Sequence, residues 1–348
     1  MIRIAVLLAS SLAAATLAPA APPALRPPPP QAAALLGRAM APAELSYYGK
    51  MLEVQWYGKQ ARANEIQIFY KPGMLRREIH AHGSSKAQLA ISDGDVEWIV
   101  LPSQKRAYKG VPSKTLPKQL GPEAEQALLL KNYTVKVHGP ETVAERKAWV
   151  VDIDPVAKGK PRQTLWIDEQ TGLILRSKRF RANGSLAALS QFVHIRIPAE
   201  VPDELVDYEP PKGYKVEDHG LSPQFLSLDG LKDAVASPPA VPQTLPGGFQ
   251  FESAGTVSTH GQSVVHLRYT DGLLNISLFQ SPVPVRLREL ADSPGEGRLP
   301  GGRILQWKAD KRSYILIGDL SQGMMRRLAA EFKDLKKSDG SGKRRTEK

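Results

Sequence analysis

Apolar and polar residues alternate along much of the chain between residues 45 and 197, which is the pattern of β-strands with one buried face. Leu52, Val54 and Trp56 give the first clear example. Turn signals separate the runs, among them residues 92–95 (Ser-Asp-Gly-Asp), because an Asp-Gly pair tolerates the positive φ of a tight hairpin. The spacing predicts a meander of about ten antiparallel strands.

Helical patterns occur in three segments. Residues 31–40 have helical composition and are followed by Pro42, which ends a helix; residues 123–131 begin with acidic residues and end with a lysine, the polarity that the helix dipole favours. Residues 321–335 place apolar side chains at helical spacing. We expect the first two helices to cover one face of the meander and the third to close a second group of strands in residues 249–318.

The two groups of strands define the predicted domains of a mainly β (α+β) protein. Residues 31–200 form the large β domain, and residues 201–242 form an interdomain segment that is rich in proline. Residues 243–335 form a small antiparallel sheet with one terminal helix. The last residues, 336–348, are polar and basic, and we expect them to be disordered.

The N-terminal residues have the features of an export signal. Arg3 precedes a short apolar run at residues 4–17, and Ala18-Pro19-Ala20 is a small-x-small cleavage site. Residues 1–20 are therefore expected to be a signal peptide that is cleaved near Ala20, which predicts a periplasmic protein. Residues 21–30 contain six prolines in ten positions and are expected to form an extended spacer.

Charge and composition narrow the classes of partner. The chain has 348 residues, no cysteine and a formal net charge of +12, so disulfides, thiol nucleophiles and a lipidated N-terminal cysteine are excluded. Much of the positive charge lies in the leader and in residues 336–348, and the folded domains keep only a modest excess. Nucleic acid is not expected as a partner. Anionic lipid head groups or an acidic protein are the partners that the charge favours.

The motifs of common enzymes do not occur in this sequence. It has no Gly-x-Ser-x-Gly elbow, no His-Glu-x-x-His and no glycine-rich phosphate loop. His80 and His82 are spaced for one strand face, but no third metal ligand is suggested by spacing, and Asp152 with Asp154 does not form the pair that acid–base chemistry needs across a cleft. We therefore expect a binding protein without catalytic residues, metal or cofactor.

The aromatic and branched residues of the large domain allow two interpretations. They are either ordinary core or the lining of an apolar ligand cavity. A lipid chain of about fourteen methylenes would gain about 11 kcal/mol on burial before entropy is deducted, so a cavity of this kind needs no polar motif. We expect the ligand site to consist of this cavity and the cleft between the domains. The residues that are candidates for the lining of the cavity are Trp56, Ile66, Ile68, Trp98, Trp149 and Trp166.

The basic residues of the strands also allow two interpretations. They are either solvated strand faces or a surface that binds phosphate groups near a sheet edge. Alternation places Arg176 and Lys178 on one face and Arg179 with Arg181 on the other. The complete set of basic candidates is Arg76, Arg77, Arg176, Lys178, Arg179 and Arg181.

Two segments of the large domain resemble a known superfamily. Residues 143–153 (VAERKAWVVDI) and 163–176 (QTLWIDEQTGLILR), with their Trp-Ile-Asp-x-x-Thr-Gly hairpin, are similar to the LolA/LolB-like lipoprotein carriers. Residues 245–249 (LPGGF), residues 267–279 and the final helix resemble the small domain of the RseB/MucB family. The resemblance implies an incomplete antiparallel β barrel with a helical lid over an apolar cavity, joined to a small second domain.

The resemblance also implies a function. The protein would negatively regulate an envelope-stress sigma factor by binding and protecting the periplasmic domain of a membrane-spanning anti-sigma factor. Lipid, lipopolysaccharide or lipoprotein acyl chains would be sensed in the large domain. The alternative that the sequence leaves open is a periplasmic lipoprotein or lipid carrier of the outer-membrane sorting type.

Overall fold

The computed structural model describes residues 30–41, 44–58, 60–81, 87–110, 120–218, 224–226, 229–231, 235, 239, 241–259, 262–282, 302–309 and 312–339. The expected signal peptide, nearly all of the expected spacer, His82 and the end of the basic tail lie outside these residues. Within the described residues, no helix combines the length and the hydropathy needed to cross a membrane.

The larger of two sheets contains twelve strands in the order β12-β6-β5-β4-β3-β2-β1-β11-β10-β9-β8-β7. Every neighbouring pair is antiparallel except β12 with β6, which is parallel. The strands are β1 (Tyr47–Tyr57), β2 (Gln60–Lys71), β3 (Met74–Ala81), β4 (Gln88–Ser92), β5 (Glu97–Leu101), β6 (Arg106–Gly110), β7 (Tyr133–Val143), β8 (Arg146–Pro155), β9 (Arg162–Asp168), β10 (Ile174–Phe180), β11 (Leu186–Arg196) and β12 (Lys215–Asp218).

This sheet is strongly curled. Leu75 of β3 and Val150 of β8 belong to one apolar cluster although several strands lie between them in the sheet. The edge strand β7 also approaches β11, from which β8, β9 and β10 separate it. The curl gives the half-barrel form in which distant strands share a core.

Two helices cover part of this sheet. α1 (Pro30–Met40) and α2 (Pro122–Asn132) pack with β7, β8 and β9 in a second apolar cluster. Alternation along β9 separates the two clusters, because Leu165 and Ile167 pack with the helices whereas Trp166 packs in the cluster shared by β3 and β8.

Part of the segment expected between the domains is built onto the large sheet. It contains the short helix α3 (Asp203–Val206) and strand β12. Tyr208 and Tyr214 pack against a small apolar cluster of β4, β5 and β6 that includes Trp98. These two tyrosines do not belong to an alternating apolar pattern, so the sequence does not predict their burial against the sheet.

A helix packs against the smaller sheet. α4 (Gln322–Asp339) packs on the sheet through apolar side chains that include Met324, Leu328 and Phe332. It continues past residue 335, the expected end of the domain. The strand order is β13-β15-β16-β17-β19-β18, with β14 on β15; the strands are β13 (Gln224–Leu226), β14 (Thr244–Leu245), β15 (Phe249–Thr259), β16 (Gln262–Thr270), β17 (Asn275–Ser281), β18 (Arg303–Ala309) and β19 (Arg312–Gly318).

The architecture confirms the fold class expected from the sequence. It is mainly β, with a curled half-barrel sheet, few helices, and a small antiparallel sheet that ends in one helix.

Candidate functional site

The two domains meet at a polar junction that is removed from water. The ammonium Nζ of Lys160, in the β8–β9 loop, lies 2.6 Å from Oδ2 of Asp271, in the β16–β17 turn, and both side chains are fully buried. The hydroxyl of Tyr133 donates to the same carboxylate oxygen at 2.9 Å. Lys160 also donates to the carbonyl of Gly247 at 2.8 Å. The junction therefore joins the large sheet and the small sheet through charged hydrogen bonds.

The backbone of the β16–β17 turn fits closely against helix α2. Gly272 has φ +93, and a Cβ added there would lie 2.2 Å from the backbone nitrogen of Leu129. Leu273, the next residue, is buried in the apolar cluster of α1 and α2. At the end of α2, Asn132 donates to the carbonyls of Gly248 and Asp271, at 3.2 and 3.1 Å. Only glycine at position 272 allows the turn to lie this close to α2.

Burial perturbs both charges of the junction. It lowers the pKa of Lys160 to about 7, although the carboxylate of Asp271 opposes the change. Burial also raises the pKa of Asp271, against the effects of Lys160 and of two backbone N–H groups. Each charge is stabilised chiefly by the other, because neither contacts solvent. Separating the domains would expose both groups to water.

Two further contacts join the domains near this junction. Arg179 of β10 forms an ion pair with Asp319 at 3.1 Å, and burial raises the pKa of that carboxyl while Arg179 opposes the rise. The backbone nitrogen of Ser321 donates to the carbonyl of Gly159 at 2.8 Å. The start of α4 is thereby held against the β8–β9 loop.

The Trp-Ile-Asp-x-x-Thr-Gly motif forms the β9–β10 hairpin. Asp168 accepts two hydrogen bonds from Arg146, both at 2.9 Å, and two from the nitrogen and hydroxyl of Thr171. Burial acts to raise the pKa of Asp168, but these hydrogen bonds outweigh it and hold the pKa below its usual value. The motif therefore stabilises a turn.

The six cavity candidates lie in different parts of the large domain. Ile66, Ile68 and Trp166 share one cluster, with exposed fractions of 0%, 1% and 5%. Trp98 packs edge-on against Tyr208, with ring centroids 6.0 Å apart. Trp149 packs beside the cluster of α1 and α2, and Trp56 is partly buried at the end of β1. The structure thus brings three of the candidates together and separates the other three.

The basic candidates of β10 contact different partners. Arg176 and Lys178 lie over the ring of Trp166, at 4.8 and 5.3 Å from its centroid, whereas Arg179 points to the small domain. Arg181 donates to the carbonyl of Trp56. These contacts tie the strand to aromatic and acidic neighbours.

The basic candidates of β3 differ from one another. Arg76 pairs with Glu78 at 2.7 Å and donates to the carbonyl of Leu205 at 3.3 Å. Arg77 is buried, with an exposed fraction of 6%.

Sequence reasoning missed the residues of the junction. Lys160 stands in a Gly-Lys-Pro turn and Asp271 in an Asp-Gly turn, and both patterns also occur in ordinary surface loops. Their burial depends on a contact between residues 111 positions apart in the chain. Among the residues that the structure describes, no group of three or more acidic, histidine or cysteine side chains is placed to hold a metal ion.

Comparison with known proteins assigns the family. A family model described as the MucB/RseB N-terminal domain matches residues 32–209, which is just over half of the chain. The chain belongs to the MucB/RseB family. Members of this family are periplasmic regulatory binding proteins rather than enzymes.

Solved structures extend the likeness over both domains. The complex of MucA and MucB from Pseudomonas aeruginosa is similar with a TM-score of 0.55 and 18% identity, over 86% of this chain and 97% of that chain. A structure of MucB in complex with MucA(peri) has a TM-score of 0.54 and 18% identity, over 85% and 95%. At this identity the likeness shows a shared fold. A search of curated proteins gives no significant match.

Proposed function

We propose that this protein binds the periplasmic domain of a membrane-spanning anti-sigma factor, protects it from proteolysis and releases it when an amphipathic lipid occupies the large domain. The protein would in this way restrain an envelope-stress sigma factor. It would act in the periplasm after export and removal of residues 1–20.

The observation that carries the proposal is the match to MucB along both domains. Residues 32–209 match the MucB/RseB N-terminal domain, and the aligned MucB structure was determined with MucA. A carrier of lipoproteins would need only the large domain and would leave the small sheet and its junction without a role. A two-domain regulator uses both.

Release by lipid requires two states that bind the lipid with different affinity, because a ligand that bound both equally would shift nothing. The junction of Lys160 and Asp271 supports this part of the proposal. It joins the domains in part through polar groups, which water can solvate when the domains separate.

The test is a pull-down from envelope extract with residues 21–348, in the presence and absence of lipopolysaccharide or lipoprotein fragments. We expect recovery of a single-span anti-sigma protein that is lost when lipid is added. The purified pair should also slow cleavage of the anti-sigma periplasmic domain by its protease.

Recovery of lipidated proteins, with no anti-sigma partner, would overturn the proposal and favour the carrier function. If the anti-sigma protein is recovered equally with and without lipid, the binding part of the proposal stands and the lipid-sensing part is rejected.

A further inference from the structure

Arg77 is a charged side chain in the interior of the large domain. Its exposed fraction is 6%, and its Nε has no hydrogen-bond partner among the residues that the structure describes. Burial lowers the pKa of its guanidinium, while Glu53 and Tyr47 oppose the change. A buried charge with an open donor is unfavourable for folding, so its presence calls for a compensating role.

Apart from Glu53 and Tyr47, the neighbours of Arg77 in the sheet are apolar. In the sheet register it lies between Ile68 of β2 and Ala90 of β4. Leu75 and Ile79, two positions to either side on β3, share its face; Leu75 belongs to the same apolar cluster as Ile68, and Ile79 packs against that cluster. The guanidinium therefore lies beside apolar side chains, and this arrangement is complementary to an amphipathic molecule.

The adjacent Arg76 shows that this feature is specific to one position. Arg76 lies on the opposite face of the same strand, where Glu78 and the carbonyl of Leu205 satisfy it. The two arginines are neighbours on the same strand and have the same side chain, but they contact different partners. Arg76 is consequently a matched control for Arg77.

We propose that Arg77 binds the anionic group of the amphipathic ligand, a carboxylate or a phosphate, while the hydrocarbon chain of the ligand packs against Ile68, Leu75 and Ile79. The inference rests on the lipid-sensing part of the proposed function. A guanidinium can donate two parallel hydrogen bonds to either anion, and Nε is one of the donors that such a pair uses. The anion would supply the partner that Nε lacks.

The test measures displacement of the neutral fluorophore N-phenyl-naphthylamine from the purified protein by three ligands of equal chain length: hexadecanoate, hexadecyl phosphate and hexadecanol. We expect the unmodified protein to bind at least one of the two anions roughly tenfold or more tightly than the alcohol, as is usual for hydrogen bonds to charged groups. Arg77→Met should lose this preference while its affinity for hexadecanol is kept. Arg76→Met should retain the preference.

A second measurement separates a binding role from a structural one. Because Arg77→Met removes a buried charge with an open donor, it should raise the thermal midpoint of the ligand-free protein. A lowered midpoint with an unchanged preference for anions would show that Arg77 is structural and would overturn the proposal. If Arg77→Met does not fold, Arg77→Lys should fold and show a reduced preference, because it keeps the charge and loses the planar fork.

The three ligands also distinguish a phosphate head group from a carboxylate, and they separate a failure of the role of Arg77 from a failure of lipid sensing. Stronger binding of hexadecyl phosphate supports a phosphate head group, and stronger binding of hexadecanoate supports a carboxylate. Binding of all three ligands with equal affinity would overturn the role of Arg77 alone. Binding of none would reject lipid sensing and this inference together.

Discussion

At the scale of single residues, the ion pair of Lys160 and Asp271 is one of the contacts that join the domains. Lys160→Met leaves the buried carboxyl without its counter-ion, and we expect it to lower the free energy of unfolding by about 3–5 kcal/mol, the usual cost of breaking a buried pair. Urea unfolding measures the loss. Lys158→Met, at an exposed position two residues earlier, should change stability by less than about 0.5 kcal/mol.

The sign of the pH dependence follows from the carboxyl that remains in Lys160→Met. Burial raises the pKa of Asp271 even with Lys160 present, and loss of the ammonium raises it further. The folded variant then binds a proton that the unfolded chain does not hold, so the stability deficit should shrink as the pH falls below neutral. A deficit that grows on acidification would show that the carboxyl has another cationic partner.

At the scale of elements, the β16–β17 turn depends on a glycine for its contact with α2. Gly272→Ala combines a positive φ with a Cβ 2.2 Å from the nitrogen of Leu129, so we expect a loss of stability above the roughly 1–3 kcal/mol that strained backbone alone costs. Gly184→Ala is the control, because Gly184 has φ +83 and nothing within 4 Å of its added Cβ. Limited proteolysis should show the small domain released only in Gly272→Ala, and equal behaviour of the two variants would contradict the contact.

The elements also show how far sequence patterns determine this fold. Helical composition and the placement of charged residues and proline put α1 and α2 within a residue of their observed ends. The packing of Tyr208 and Tyr214 on the large sheet has no periodic signal. The same holds for Lys160, whose turn sequence is typical of solvent-exposed loops.

At the scale of the whole molecule, we expect the contacts between the domains to change when lipid releases the partner. The β8–β9 loop offers a direct test, because an added Cβ at Gly159 lies 3.5 Å from the Cβ of Ser321, a spacing that a disulfide spans. The chain contains no cysteine, so Gly159→Cys with Ser321→Cys would form a unique cross-link between the domains. Gly159 has φ +99, and cysteine there should cost about 1–3 kcal/mol of strain.

We expect the oxidised double variant to bind the anti-sigma domain as the unmodified protein does, and to keep it when lipid is added. Reduction of the disulfide should restore release, so each sample is its own control; the single variant Ser321→Cys separates the cross-link from the substitution. Binding and release would be followed by fluorescence anisotropy of the labelled anti-sigma domain. Equal release from the oxidised and reduced forms would show that lipid acts within the large domain alone. The junction would then contribute to stability and not to signalling, because an interface that never opens cannot couple two sites through its opening.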